Sequence, residues 1–177
     1  MHYILNNLKA PHNQYDVFSG VSVGAINALG YSRFAKGEEK AADEEMMGLW
    51  AKLTNGDIYH GWPQSARDPV HGILYESGFF DNSPLNHLMT GLLEQRNVKK
   101  HVIVSSTDVE TGTYRHFQLL DEDPAHPIDI AFKVNAVQAS ASVPFMFPPK
   151  HLNVAGKQHI QMDGGTTWNS NLVSGVN

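Results

Sequence analysis

Asp16-Val17-Phe18-Ser19-Gly20-Val21-Ser22-Val23-Gly24-Ala25-Ile26-Asn27-Ala28 is the stretch on which the reading of this chain turns. It begins as a short apolar strand, passes through a turn with glycine on both sides of Ser22, and continues as a helix of small residues. This is the G-x-S-x-G pattern of a nucleophile elbow. A strand that becomes a helix within about two residues crowds the backbone at the serine. Gly20 and Gly24 are expected to remove the Cβ atoms that would clash there, glycine also tolerating backbone angles that other residues resist. The Ser22 hydroxyl is left at the tip of the turn. The backbone N–H of Val23 opens the helix, where an anionic oxygen is stabilised.

Outward from the elbow, the chain alternates helical and extended patterns. Met1, Ile4, Leu5 and Leu8 have the spacing of one helix face, and no capping residue precedes them. Residues 25–36 read as a helix closed by Gly37, and residues 38–53 as a second helix with Met46, Leu49, Trp50 and Leu53 on one stripe. Residues 55–77 are rich in Gly, Pro, His and Asp, which predicts a long irregular loop, a lid or a variable insertion. Asn82-Ser83-Pro84 starts another helix with Pro at the first helical position, burying Leu85, Leu88, Met89 and Leu92. Residues 101–107 form a buried strand and residues 114–119 its hairpin partner. Asp121-Glu122-Asp123-Pro124 is an acidic turn, read as a solvated loop rather than a calcium site. Residues 128–142 read as a helix of small residues, and residues 159–162 as the last strand, ending at Asp163-Gly164-Gly165. Helices alternating with strands give an α/β fold with a mainly parallel central sheet flanked by helices.

At 177 residues the chain is most simply one domain, residues 1–177, with enough length for a hydrophobic core. Apolar residues at 41% and charged residues at 18% fit a globular chain. A formal charge of −5 argues against a nucleic-acid partner, which calls for a basic face. The absence of cysteine excludes disulfide frameworks and thiolate metal sites. No His set has ligand spacing, so neither metal nor cofactor is expected. The expected location is cytoplasmic or peripheral to a membrane. For Ser22 to act it needs a base. Asp163, ending a strand before two glycines, is the leading candidate. A second arrangement follows the chain order Ser, acid, His, with Asp108 or Asp121 and His151 or His159.

Five blocks in order resemble the patatin-like phospholipases: Tyr15 to Ala28, Gly78-Phe79-Phe80-Asp81-Asn82-Ser83-Pro84-Leu85, Ser106-Thr107-Asp108-Val109-Glu110-Thr111-Gly112, Ala139 to Pro149, and Asp163-Gly164-Gly165. The resemblance covers nearly the whole chain. It implies a three-layer fold and a lipid acyl hydrolase of the phospholipase A or lysophospholipase type. It also implies a Ser22–Asp163 dyad without histidine, with Gly20, Val23 and Gly24 shaping the elbow and oxyanion site and Gly164 and Gly165 shaping the acid loop. A phospholipid or other acyl lipid is the implied substrate, with peripheral membrane contact. Phe145 and Phe147 could line an acyl-chain pocket. The family opens on a strand and a Gly-rich loop that are not found ahead of Asp16, so the expectation is a domain incomplete at its N-terminus and also at its C-terminus. Such a chain is either most of a hydrolase or a non-catalytic lipid-binding or interaction module on the same fold.

Overall fold

The computed structural model describes residues 1–63, 71–123 and 125–168. Helix α1 (His2–Asn7) is followed by strand β1 (Val17–Val21), helix α2 (Val23–Ser32) and helix α3 (Glu39–Lys52). The segment expected as one irregular loop contains α4 (Asn55–Ile58), β2 (His60–Gly61) and α5 (His71–Tyr75), while its residues 64–70 lie outside the described residues. Thr54 and Asp57 form a reciprocal capping box that starts α4. Next come β3 (Phe80–Asp81), which pairs with β2, and α6 (Ser83–Gln95), with Pro84 in its first turn. Strands β4 (His101–Asp108) and β5 (Tyr114–Gln118) form the expected antiparallel hairpin. Helix α7 (Ile130–Ser140) is capped by the Asp129 carboxylate, which accepts from Ala131 N–H. The chain then forms β6 (Lys150–Val154), β7 (Lys157–Asp163) and a 3-10 turn over Gly164–Thr166.

One boundary and one strand differ most from the sequence reading. Helix α2 stops at Ser32 rather than running to Lys36, because the Ser32 carbonyl is taken by the N–H groups of Lys99 and Lys100. Gly37 still turns the chain, at φ 95°, but beyond the helix. Strand β6 was not expected. It is joined to β7 by Ala155 and Gly156, both at positive φ (52° and 80°), the conformation of a two-residue hairpin turn.

The sheet is built around β4. Strand β5 pairs with residues 103–107 of β4, so it occupies one edge of that strand. Strand β1 pairs with residues 101–105 and β7 with residues 106–108. A strand has two edges, so β1 and β7 must share the other one, end to end. Strand β1 runs parallel to β4 and β7 antiparallel, so their C-terminal ends converge: Val21 stands opposite Ser105 and Asp163 opposite Ser106. The expectation of a parallel sheet holds for β1 and β4, the pair that carries the elbow. The β4–β5, β4–β7 and β6–β7 pairings are antiparallel, which makes the sheet as a whole mixed.

Helices α2 and α7 pack side by side on the sheet face that carries Val102, Val104 and Phe117, with α3 against α2 and α6 against α7. Ala25, Leu29, Met89, Leu93, Val134 and Val137 fill the space between, all buried. Small residues on α2 and α7 let both helices sit close to the strands. Leu93 takes the buried position on α6 that the sequence reading gave to Leu92, and Leu88 is half-buried. On the opposite face Ile103 is half-buried and His116 exposed, while Ser105 and Thr107 are buried. The α/β fold expected from the sequence, a central sheet flanked by helices, is the one the chain adopts. In the acidic turn Asp121 accepts from the buried Lys133 ammonium at 2.8 Å and from Ile128 N–H, while Pro124 lies outside the described residues.

Candidate active site

The convergence of β1 and β7 on β4 brings together the two residues singled out at opposite ends of the sequence. Ser22 follows the last residue of β1 and caps α2 with φ 56° and ψ −131°, a region that non-glycine residues rarely adopt. Its hydroxyl donates to the Asp163 Oδ2 atom at 2.6 Å. Asp163 is 5% exposed and is the final residue of β7. Its backbone N–H donates to Ser142 O at 2.9 Å, and its Oδ1 atom accepts from Gly165 N–H at 2.7 Å. The carboxylate is therefore held at both oxygens, with one turned to the serine.

The glycines of the site have different duties. A Cβ on Gly20 would lie 2.1 Å from the Gly24 carbonyl oxygen, so the first turn of α2 can sit on β1 only because that atom is missing. A Cβ on Gly164 would lie 2.5 Å from Ser105 O and 2.6 Å from the Val21 side chain. Gly24 is different, and the expectation that it avoids a clash is corrected: a Cβ there would meet nothing within 4 Å. Gly24 faces open space, and the neighbouring Val23 is 53% exposed.

Beneath the elbow lies a contact that the sequence did not reveal. The Ser140 hydroxyl, fully buried at the end of α7, accepts from Ser22 N–H at 3.0 Å and donates to Ser105 O at 2.5 Å. Tyr114, on β5, is also close to the site. Burial raises the pKa of its phenol, the Ser105 hydroxyl opposes the rise, and the Asp163 charge adds to it. A serine among small residues in a helix gives no hint of such a role. Only the order of the strands shows which carbonyl it reaches.

The alternative triad is not assembled at Ser22. Asp108 and His159 do meet, with His159 Nδ1 at 2.9 Å from Asp108 Oδ2, but His159 lies four residues before Asp163, roughly 13 Å back along β7. Asp108 is the centre of its own buried cluster. It accepts from Arg115 Nε at 3.0 Å, from Gln161 Nε2 at 3.1 Å and from the hydroxyl and N–H of Thr111. Burial alone would raise the Asp108 pKa, but the hydrogen bonds from Thr111, His159 and Arg115 outweigh it and hold the carboxyl well below the usual range. Ser106 completes the cluster by donating to Gln161 Oε1 at 2.7 Å. The effect is to fix β7 against β4 two residues ahead of Asp163. The other acid and histidine considered are Asp121, which pairs with Lys133, and His151, which is exposed.

The two phenylalanines considered for an acyl pocket stand apart in their surroundings. Phe147 is half-buried with its ring 5.9 Å from that of Tyr59, which in turn lies 4.8 Å from Phe80. Phe145, at φ 67°, is 73% exposed. Its carbonyl accepts from Phe79 N–H at 2.8 Å, which docks the 79–80 segment beside the turn. Val143, Met146 and Phe79 are exposed neighbours in this segment, and Val143 follows the residue whose carbonyl holds Asp163. A groove of about 610 Å³ between α3, α4 and α6 contains none of these residues.

The sequence model of the patatin-like phospholipase family matches residues 3–174. The chain belongs to the patatin-like phospholipase family. That span includes both Ser22 and Asp163 and nearly everything between the termini. Among curated proteins, none matches the chain. Membership of this patatin-like family supports lipid hydrolysis as the class of chemistry and a lipid as the substrate.

Proposed function

We propose that this patatin-like chain is a serine acyl hydrolase of the phospholipase A or lysophospholipase type, working through a Ser22–Asp163 dyad. The observation that carries the proposal is the 2.6 Å hydrogen bond from Ser22 Oγ to Asp163 Oδ2. An alcohol becomes a competent nucleophile when a positioned base takes its proton as it attacks. Ser22 Oγ adds to the carbonyl carbon of the lipid ester while its proton passes to Asp163. Negative charge collects on the former carbonyl oxygen at the start of α2, where the Val23 N–H has no helical acceptor. The tetrahedral species collapses, the alkoxide of the leaving lysolipid takes the proton from Asp163, and an acyl ester of Ser22 remains. Water then gives its proton to Asp163 and adds to the acyl carbon. Ser22 Oγ leaves, recovers the proton, and the fatty acid is released.

The open space in front of Gly24 gives the ester a way to the nucleophile. Phe145, Met146 and Val143 supply an apolar border for the acyl chain and for contact with a lipid surface. Among the described residues no helix is long and apolar enough to cross a membrane, so the contact proposed is with the membrane surface. The test is hydrolysis of a p-nitrophenyl ester and of phospholipid vesicles by the full chain. Ser22→Ala and Asp163→Asn should each abolish turnover, while His159→Ala should leave a folded enzyme that still turns over. Lipid binding without turnover, unchanged by Ser22→Ala, would instead show a non-catalytic binding module.

A further inference from the structure

The geometry points to Ser140 as the positioning residue of the elbow, a role that rests on Ser22 being the nucleophile. In a strand, successive backbone groups point to opposite edges. His101 N–H bonds to Asp16 O next to β1, while Leu119 N–H bonds to Val102 O on the β5 side. Alternation then aims Ser105 O at the edge shared by β1 and β7, at the junction where β1 has ended and β7 arrives. Ser140 Oγ fills that junction. Its single proton goes to Ser105 O at 2.5 Å, so the atom offers a lone pair to Ser22 N–H at 3.0 Å. Two residues further on, Ser142 O holds the N–H of Asp163 at 2.9 Å. The end of α7 thus grips the backbone of both Ser22 and Asp163, which makes it the gauge that sets their spacing.

The need for such a grip follows from the backbone of Ser22. A serine at φ 56° persists only while its surroundings hold it there. Removing the Ser140 hydroxyl takes the acceptor from the part-buried Ser22 N–H and frees the peptide before Ser22 to rotate. Rotation swings Oγ away from Asp163. No atom of Ser140 is exposed, so the substrate itself loses no contact.

The test is steady-state hydrolysis of p-nitrophenyl butyrate by the full chain and its variants, with the folded fraction measured in parallel. Ser140→Ala should lower kcat by about 10- to 100-fold with KM unchanged, as expected for a displacement of about 1 Å at a reacting atom. Ser32→Ala is the control: this hydroxyl is equally buried, lies on α2 and donates to Leu29 O within its own helix, so its loss should leave kcat at the wild-type value. Ser140→Cys keeps the volume with a weaker donor and acceptor, so its kcat should fall between the two, and it decides the matter where Ser140→Ala does not fold. A kcat for Ser140→Ala or Ser140→Cys equal to that of Ser32→Ala, or a loss matched by the loss of folded protein, would overturn the positioning role. Failure of the underlying reading looks different: wild-type chain without turnover, or turnover that survives Ser22→Ala, removes Ser22 as nucleophile and Ser140 with it.

Discussion

Replacing Gly20 with alanine tests whether the close approach of α2 to β1 is what sets the elbow. The added methyl would stand 2.1 Å from Gly24 O, 2.3 Å from Gly24 C and 2.7 Å from Ala25 N, all of them backbone atoms of one turn. Backbone in a packed helix cannot swing aside as a side chain can. Ordinary contact begins at 3.4 Å, so the turn must retreat by about 1.3 Å, the difference between 3.4 and 2.1 Å. Applied along the hydrogen bond, that shift takes Ser22 Oγ from 2.6 Å to about 3.9 Å from Asp163, which breaks it. Ala25 and Leu29 move with the turn and loosen the core. Overpacking of this kind costs about 1–3 kcal/mol, or roughly 2–12 °C of melting temperature in a chain of this size. Turnover should fall about 100-fold. Gly24→Ala is the matched comparison, because its methyl meets open space and alanine favours helix by up to about 1 kcal/mol. Its melting temperature should hold or rise, and any loss of turnover there originates on the substrate side. Thermal unfolding and p-nitrophenyl ester hydrolysis, run on both variants, give the answer. If Gly20→Ala melts and turns over like the wild type, the contact does not set the elbow and the reasoning fails.

Three further outcomes follow from the same geometry. Ser22→Gly should abolish hydrolysis yet stabilise the fold by about 1 kcal/mol, since glycine accepts φ 56° without strain; a chemical-denaturation midpoint at or below that of Ser22→Ala would contradict it. The depressed pKa of Asp108 contributes stability that is present above the unfolded-state value of about 3.9 and is lost as pH falls through the folded-state value. Asp108→Asn should therefore be less stable than wild type at neutral pH and lose less on acidification below about pH 4, so parallel stability–pH curves for the two would refute the assignment. Phe145→Asp should weaken hydrolysis of long-chain esters and vesicle binding more than hydrolysis of short-chain esters, with little change in melting temperature because the ring is exposed; equal loss on both substrates would remove Phe145 from the acyl border.

Much of the fold could be read from the sequence because the strands and helices next to the elbow follow local rules. The Val17-Phe18 strand, the small residues of α2 and the Val102-Ile103-Val104 strand carry their signals within a few residues. Strand β6 was missed because its hairpin turn is Ala155-Gly156, which lacks the Asn or Asp that usually marks such a turn. The head-to-head placement of β1 and β7 could not be read at all, since it depends on which edge of β4 each strand takes. For the same reason, the pairing of Ser22 with Asp163 rested on resemblance. Once the edges are known, the pairing follows from the register. The Asp108–His159 contact shows the limit from the other side: an acid and a histidine in triad order do find each other, but in a cluster that fastens β7 rather than at the serine.

The separation of Ser22 from Asp163 has a consequence in time. They lie 141 positions apart, and the strand that receives both is made in between. At typical synthesis rates, roughly 7–28 s pass between the emergence of the first and the second. During that interval β1 and β4 can already pair, yet the Ser22 hydroxyl lacks the Asp163 carboxylate to which it donates in the complete fold. A nascent chain, or one broken before β7, therefore holds a serine that is shaped but unarmed. The Ser22–Asp163 pair is completed only when the β6–β7 hairpin docks, so any chemistry that depends on it waits for the last strands to be made.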